Sequence, residues 1–215
     1  MDDKKWAKWA TLGGVGFVIL NVVGAIVMGQ LPMKDDTNEE VLEWFVDKES
    51  GIRTAGFLGA LSVILLVWWF GSLWRRMAQA ETNQNRLSVM SLFGLASSGA
   101  LFAGQAVMLS AVAMRVDDMG PEGARFYFTL GSATLAFAGA FVFIHLLATN
   151  MLALRSGFLP KWNAYLGFVP AALFLVSTTG TMSDGDLPMI AGGIGFITWS
   201  IWILATSFNM WKTAD

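Results

Sequence analysis

The chain has 215 residues, of which 55% are hydrophobic and only 14% are charged, and its formal net charge is −2. Soluble domains are about one-quarter charged, so the composition excludes an ordinary soluble domain and indicates a multi-pass membrane protein. There are no cysteines and there is one histidine. Disulfides, thiolate metal sites, cysteine nucleophiles and histidine clusters within one chain are therefore excluded.

Six apolar stretches follow one another along the chain, each about long enough to cross a hydrocarbon core of about 30 Å. They cover approximately residues 10–30, 52–74, 87–114, 126–150, 163–179 and 188–211. The first is too long for the apolar region of a signal peptide, so we expect an uncleaved helix. The sequence predicts an all-α fold, a single transmembrane domain over residues 1–215 that forms a six-helix bundle.

The positions of lysine and arginine predict the orientation of these helices, because basic residues are retained on the cytoplasmic side. Nine of the 14 basic residues fall on one side: Lys4, Lys5, Lys8, Arg75, Arg76, Arg86, Arg155, Lys161 and Lys212. The other side carries the remaining five and most of the acids. We therefore expect a protein of a bacterial plasma membrane with both termini in the cytoplasm.

The segment 32–50 is the longest polar stretch and carries seven acidic residues. It also contains apolar residues, and Thr37 or Asn38 is of the type that caps a helix. One interpretation is a short surface-lying helix that places Trp44 and Phe45 in the outer membrane interface. The alternative is a solvated acidic extracytoplasmic loop.

Polar side chains inside predicted spans are candidates for function, because burying them in hydrocarbon is costly. Three stand out: Asn21, Gln105 and His145. At about 1.5 Å per residue, Asn21 is central, Gln105 lies roughly 6 Å toward the outside and His145 roughly 10 Å toward the cytoplasm. Gln105 and His145 are then on the order of 16 Å apart in depth, too far for a direct hydrogen bond.

Hydroxyl groups lie at the central-to-outer depths of Asn21 and Gln105. They belong to Ser62, Thr134, Thr198 and Ser200. Three arginines rim the outer side: Arg53, Arg115 and Arg125. This pattern predicts a polar pocket that is open to the outside and takes an anionic or amphiphilic ligand. In the alternative, the amides hydrogen-bond neighbouring helices, and the arginines pair with nearby acids or lipid phosphate.

His145 has three interpretations: a proton relay, a haem ligand, or a histidine whose hydrogen bonds are satisfied near the inner interface. A haem held by two histidines would need a second chain, and no carboxylate lies within the spans to complete a proton wire. We favour the third interpretation. No catalytic residue, cofactor or metal site is predicted.

The third span carries small residues at Ala96, Ala100 and Gly104. Small residues let membrane helices approach closely, so we expect this helix near the centre of the bundle. Its partner could belong to the same chain or to a second copy.

Two cytoplasmic stretches resemble a known family. The first is Leu73-Trp74-Arg75-Arg76 followed by Ala78-Gln79-Ala80-Glu81, and the second is Arg155-Ser156-Gly157-Phe158-Leu159-Pro160-Lys161-Trp162 before Leu166-Gly167. They are similar to the DUF4386-like group of bacterial membrane proteins and to its R-x-G-x-LP-[KR]-W turn. The resemblance implies a six-helix bundle and no established activity.

From these features we predict a multi-pass membrane protein, non-enzymatic, that binds a small amphiphile or lipid or a partner membrane protein, with a homo-oligomer also open. The alternative is a small transporter or permease with a polar path through Asn21 and Gln105. An intramembrane enzyme has the least support. Nucleic-acid binding is disfavoured because no basic patch is present.

Overall fold

The computed structural model describes the backbone of residues 3–81, 85–183 and 185–213, and the side chains from Lys8 onward. The side chains of Lys4 and Lys5, which were predicted to lie on the cytoplasmic side, are therefore outside the described part of the chain. The described residues form seven α-helices: α1 (Asp3–Met28), α2 (Asn38–Asp47), α3 (Glu49–Ala80), α4 (Arg86–Met114), α5 (Pro121–Ser156), α6 (Lys161–Ser177) and α7 (Leu187–Lys212).

All of these helices except α2 are long and apolar enough to cross a membrane. The prediction of an all-α protein with six candidate spans is confirmed. Two helices exceed the predicted spans the most, since α3 has 32 residues and α5 has 36. Hydropathy marks only the part of a helix in hydrocarbon, and the backbone stays helical through the charged turns beyond it.

Consecutive long helices pack side by side, and α7 returns to α1 to close a ring. Neighbours are antiparallel: Gly24 lies against Ala55, whereas Gly14 lies against Trp69 and Ser207. Six antiparallel helices bring both chain termini to one end of the bundle. We call this the terminal end (residues 8–14, 77–81, 85–91, 149–163 and 207–213) and the opposite one the α2 end (residues 28–53, 112–125, 178–183 and 185–188).

Two large hydrophobic clusters of described residues fill most of the bundle. The larger occupies its middle and terminal half, where the fully buried rings of Trp69, Trp199 and Trp202 meet neighbouring aromatic rings edge-on. The smaller lies at the α2 end, where Val41 and Phe45 of α2 pack among residues of α3, α4 and α5. The larger cluster therefore surrounds the polar residues of the terminal half.

Segment 38–47 forms the helix α2, and its first turn is closed by a capping box. The Glu40 N–H donates to Thr37 Oγ1 at 3.2 Å, and the Thr37 N–H donates to Glu40 Oε2 at 2.6 Å. The expected interfacial position of Phe45 is wrong, because its ring is fully buried in the protein. Trp44 is half-buried against Phe128, with ring centroids 6.0 Å apart.

The expectation that Ala96, Ala100 and Gly104 pack against another helix of the same chain at the centre is wrong, and their packing against a second copy stays a prediction. Ala96 and Ala100 are exposed, and a Cβ atom on Gly104 would meet nothing within 4 Å. The opposite face of α4 points inward and carries the buried residues Ser91 and Gly94. Small residues occur both at helix contacts and on outward faces. Their spacing alone therefore does not predict which face of α4 turns inward.

Candidate functional site

The hydroxyls and amides predicted to line an outer pocket bond mainly within their own helices. Asn21 Nδ2 donates to Phe17 O at 2.9 Å, and Ser62 Oγ donates to Gly59 O at 2.7 Å. Thr134, Thr198 and Ser200 bond carbonyls of their own helices in the same way.

Gln105 of α4 lies beside Gly131 of α5 and is half-buried. Within the described residues no hydrogen bond joins it to Asn21. The structure does not bring these two amides into one hydrogen-bonded group.

The three predicted rim arginines lie at the α2 end but do not converge. Arg53 pairs with Glu49 of its own helix at 2.9 Å, and Arg115 pairs with Asp118 of its own turn at 2.8 Å. Arg125 instead binds backbone carbonyls of the α1–α2 loop.

Arg125 ties the α1–α2 loop to α5. Its guanidinium donates to three backbone carbonyls of that loop, those of Met33, Lys34 and Asp36, the last at 3.1 Å. The Lys34 ammonium in turn donates to the carbonyl of Ser183 in the α6–α7 turn. The loop therefore crosses the α2 end and is held at both sides by charged side chains.

A buried polar cluster in the terminal half is centred on His145 of α5, whose side chain is 0% exposed. His145 Nδ1 lies 2.8 Å from Ser91 Oγ and 3.3 Å from Ser91 O, across the α4–α5 contact. Ser91 Oγ also lies 2.8 Å from Thr149 Oγ1, which donates to His145 O at 2.8 Å. Two helices are thus joined by an imidazole and two hydroxyls.

These contacts indicate where the imidazole proton lies. A carbonyl can only accept, so the approach of Nδ1 to Ser91 O favours a proton on Nδ1 and a lone pair on Nε2. The His145 Nε2 atom is buried and has no hydrogen-bond partner among the described residues. The imidazole is flanked by the rings of Phe70 and Trp202, whose centroids lie 5.5 and 5.9 Å from its own.

Gly94 explains why α4 comes close enough for this contact. A Cβ atom at this position would lie 2.7 Å from Phe141 O and 2.8 Å from His145 N. These are backbone atoms, which cannot swing aside, so only glycine permits this separation of α4 and α5. Gly94 lies three residues after Ser91, on the same face of the helix.

Two further buried contacts continue the polar cluster toward α6 and α7. Trp202 Nε1 donates to Asn150 Oδ1 at 3.2 Å, and Thr206 Oγ1 donates to Asn163 Oδ1 at 3.2 Å. All four side chains are fully buried. The interior of the terminal half therefore holds neutral hydrogen-bonding groups rather than charges.

At the terminal end, Glu81 caps the start of α4. Its carboxylate accepts from Leu87 N at 2.8 Å, from Ser88 N at 2.9 Å and from Ser88 Oγ at 2.7 Å. Desolvation raises the pKa of this carboxyl, but the hydrogen bonds from Ser88, Leu87 and Arg86 outweigh it. The pKa of Glu81 therefore lies below its usual value of 4.5.

The comparison with known proteins decides the family. The model of a domain of unknown function, DUF4386, matches residues 12–206, which reach from α1 into α7. The chain belongs to the DUF4386 family. No curated protein and no solved structure matches it. The DUF4386 match confirms the resemblance drawn from the two sequence stretches at residues 73–81 and 155–167.

The turn that carried the DUF4386 resemblance has a structural role here. Gly157 ends α5 with φ +73°, a conformation that side chains disfavour, and Pro160 precedes the first turn of α6. Leu159 between them is 2% exposed and packs on Ala153 and Ala164. The turn fixes the α5–α6 hairpin, whose α5 arm carries Asn150 close to Gly167 of α6.

Sequence reasoning found His145 in this DUF4386 chain but missed most of its neighbours. The missed residues are Ser91, Thr149, Asn150, Asn163, Trp202 and Thr206. Helical spacing was the available signal, since positions three or four apart share a face. His145 and Thr149 have that spacing, as do Ser88 and Ser91.

For metal binding, the described part of the chain contains no group of three or more His, Cys, Asp and Glu side chains that could hold an ion. The chemistry offered by the cluster is hydrogen bonding and proton exchange by hydroxyls and one imidazole.

Proposed function

We propose that this DUF4386 protein is a non-enzymatic binding protein of a bacterial plasma membrane, with both termini in the cytoplasm. Its α2 end would then face the outside and bind the basic segment of a partner membrane protein. The observation that carries the proposal is a row of like charges on α2. Glu39, Glu43 and Asp47 follow one another at intervals of four residues.

This row is unfavourable for the isolated helix. Like charges four residues apart destabilise a helix by about 0.2–0.5 kcal/mol per pair. The three carboxylates are exposed and have no ion pair or hydrogen bond among the described residues. A cationic partner would reduce the repulsion among the three carboxylates and would be attracted by their combined negative charge.

The cations of the same end support this reading because most are engaged locally. Arg53 and Arg115 pair within their own segments, and Arg125 is bound to loop carbonyls. Lys34 is bound to Ser183. Lys48 is the remaining cation of this end, and no ion pair joins it to the row among the described residues.

The helix α2 is also held firmly against the bundle, as a preformed binding surface requires. Val41 and Phe45 are fully buried on its inner face, and the capping box closes its first turn. A surface that is ordered before binding does not have to pay for ordering on binding. The binding role is further favoured over an outer polar pocket because Asn21, Ser62 and Thr134 bond their own helices.

The test uses a reporter that the cysteine-free chain makes straightforward. Val46 lies on α2 and is 52% exposed, so Val46→Cys gives a single site for a fluorophore. The labelled protein in nanodiscs of neutral lipid is titrated with a lysine-rich peptide at rising ionic strength. We expect saturable binding that weakens with salt.

The row is then removed by the triple substitution Glu39→Gln, Glu43→Gln and Asp47→Asn. A matched control neutralises three acids of the same end that are not part of α2: Asp117→Asn, Asp118→Asn and Glu122→Gln. We expect about a tenfold loss of affinity for the α2 triple variant, with less than a twofold change for the control. Equal losses in both variants, or no loss in either, would reject the proposed platform.

A further inference from the structure

We propose that a cavity between the end of α1 and the α2–α3 junction binds the headgroup of a zwitterionic phospholipid with a primary ammonium, such as phosphatidylethanolamine. We call this cavity the junction cavity. The proposal does not depend on the partner proposed for the row of acids on α2, although Asp47 belongs to both surfaces.

The junction cavity has a volume of about 420 Å³ and opens to the surface of the protein. One wall is Val27 in the last turn of α1. The other wall is formed by residues of the α2–α3 junction, namely Asp47, Lys48, Ser50, Gly51 and Thr54. The two walls meet at Gly51, where a Cβ atom would collide with Val27 O.

Two opposite charges line the junction cavity. Asp47 is the last residue of α2 and Lys48 follows it, so a carboxylate and an ammonium group lie next to each other in the chain. Both side chains are exposed, and neither has an ion pair among the described residues. A simple anion or cation would be repelled by one of these groups. A zwitterion can instead direct its phosphate to Lys48 and its ammonium to Asp47.

Two hydroxyls of the lining are available as further donors to a phosphate. A hydroxyl within a helix commonly bonds the carbonyl one turn earlier, as those of Ser62 and Thr134 do. The side chains of Ser50 and Thr54 make no hydrogen bond among the described residues. They lie four residues apart on one face of α3. The junction cavity therefore offers a phosphate two hydroxyls besides the ammonium of Lys48.

The position of the junction cavity along α3 suits a lipid headgroup. Thr54 directly follows Arg53, at the start of the apolar part of the helix. Toward the middle of the bundle, Phe57 and Leu61 of α3 and Val23 of α1 are exposed. These side chains face hydrocarbon in a bilayer, so acyl chains can lie along them while the headgroup stays at the membrane surface.

The carboxylate of Asp47 predicts which headgroup is preferred. A primary ammonium has N–H groups that donate to a carboxylate, whereas the quaternary ammonium of a choline headgroup has none. A glycerol headgroup has no cation at all, so its phosphate would lie near an unpaired carboxylate. We therefore expect an ethanolamine lipid to bind more tightly than either of these.

The test measures the binding of the first lipid molecule to the purified full chain by native mass spectrometry. The probes are dioleoyl phospholipids with ethanolamine, choline or glycerol headgroups, which share their acyl chains. We expect the ethanolamine lipid to bind about fivefold more tightly than the other two, as for one exposed ion pair. Equal affinity for all three lipids would overturn the proposal. Soluble glycerophosphoethanolamine should bind far more weakly because it lacks acyl chains, and equal binding of it would overturn the assignment to a lipid.

Asp47→Asn should reduce the preference for ethanolamine over choline to less than about twofold. The matched control is Glu43→Gln, because Glu43 lies one turn earlier in the same row of acids but does not line the junction cavity. This control should keep the wild-type preference. Lys48→Gln removes a phosphate contact that all three lipids share, so it should weaken the binding of each.

An unchanged preference in Asp47→Asn, or an equal loss in Glu43→Gln, would overturn the proposed site. Asp47 and Lys48 are exposed, and thermal unfolding of each variant checks that the fold is kept. Failure of this proposal is distinguishable from failure of the α2 proposal. Glu39 and Glu43 belong to the α2 row and do not line the junction cavity, so the lysine-rich peptide would still bind without a lipid preference.

Discussion

Trp202 of α7 donates its indole N–H to Asn150 Oδ1 of α5 at 3.2 Å, and both side chains are fully buried. Asn150 Nδ2 also donates to Leu146 O at 2.7 Å, so the amide is fixed in the orientation that presents its oxygen to the indole. In a bilayer, water cannot replace such a bond, and specific contacts of this kind set the helix register.

We predict that Asn150→Leu destabilises the bundle by about 1–3 kcal/mol, because the Trp202 N–H loses its acceptor while staying buried. Trp202→Phe removes the donor, and the double variant completes a thermodynamic cycle. The coupling should be about 0.6–2 kcal/mol, measured by unfolding in mixed micelles. Strictly additive effects of the two substitutions would show that the bond contributes nothing.

Gly94→Ala should weaken the α4–α5 contact, because its Cβ would lie 2.7 Å from Phe141 O. The expected cost is about 1–3 kcal/mol, together with a changed histidine NMR signal, since His145 N lies at the same contact. Gly99→Ala on the same helix is the control, since a Cβ there meets nothing within 4 Å. The control should be neutral or slightly stabilised.

Much of the fold follows from composition, because a chain in hydrocarbon must satisfy its backbone internally and helices do so. Hydropathy therefore predicts the six long helices, and Thr37 is of the residue type that caps α2. Hydropathy does not predict which side of each helix points into the bundle. Membrane helices are apolar all round, so Ala96 and Ala100 look equally suited to the centre and to the exposed face that they occupy.

The polar cluster was predicted only in part for the same reason. A serine or threonine within a span can always bond the carbonyl one turn earlier, as Ser62 and Thr134 do. Ser91 differs because Gly94 admits the backbone of α5, and this contact joins residues 54 positions apart in the chain. The single histidine was noticed because it is rare, whereas its hydroxyl partners are common in membrane helices.

The Glu81 cap predicts a pH dependence of stability. Since the folded-state pKa of this carboxyl lies below the unfolded value of 4.5, ionised Glu81 stabilises the fold above pH 4.5. That contribution is lost as the pH falls through the lower, folded-state pKa. Thermal unfolding between pH 3 and 7, run in parallel on wild type and Glu81→Gln, measures it. The two curves should converge toward the acid end, and a constant offset would contradict the assignment.

Arg125→Gln should release the α1–α2 loop, since the shorter amide cannot bond the carbonyls of Met33, Lys34 and Asp36 together. Hydrogen exchange at residues 33–36 should rise at least tenfold, and trypsin should cleave faster after Lys34. Arg53→Gln is the control, because Arg53 and its partner Glu49 are 55% and 42% exposed and such pairs contribute about 0–1 kcal/mol. Unchanged exchange in Arg125→Gln would mean that the loop is held by other contacts.

The predicted orientation can be tested with single cysteines, because the natural chain has none. Val46→Cys and Met182→Cys lie at the α2 end, where these side chains are 52% and 91% exposed, and Ser156→Cys lies at the terminal end. If both termini are cytoplasmic, a membrane-impermeant maleimide should label the first two variants in intact cells. It should label the third only after the membrane is opened. Labelling of Ser156→Cys in intact cells, with the other two protected, would reverse the orientation and place the α2 row in the cytoplasm.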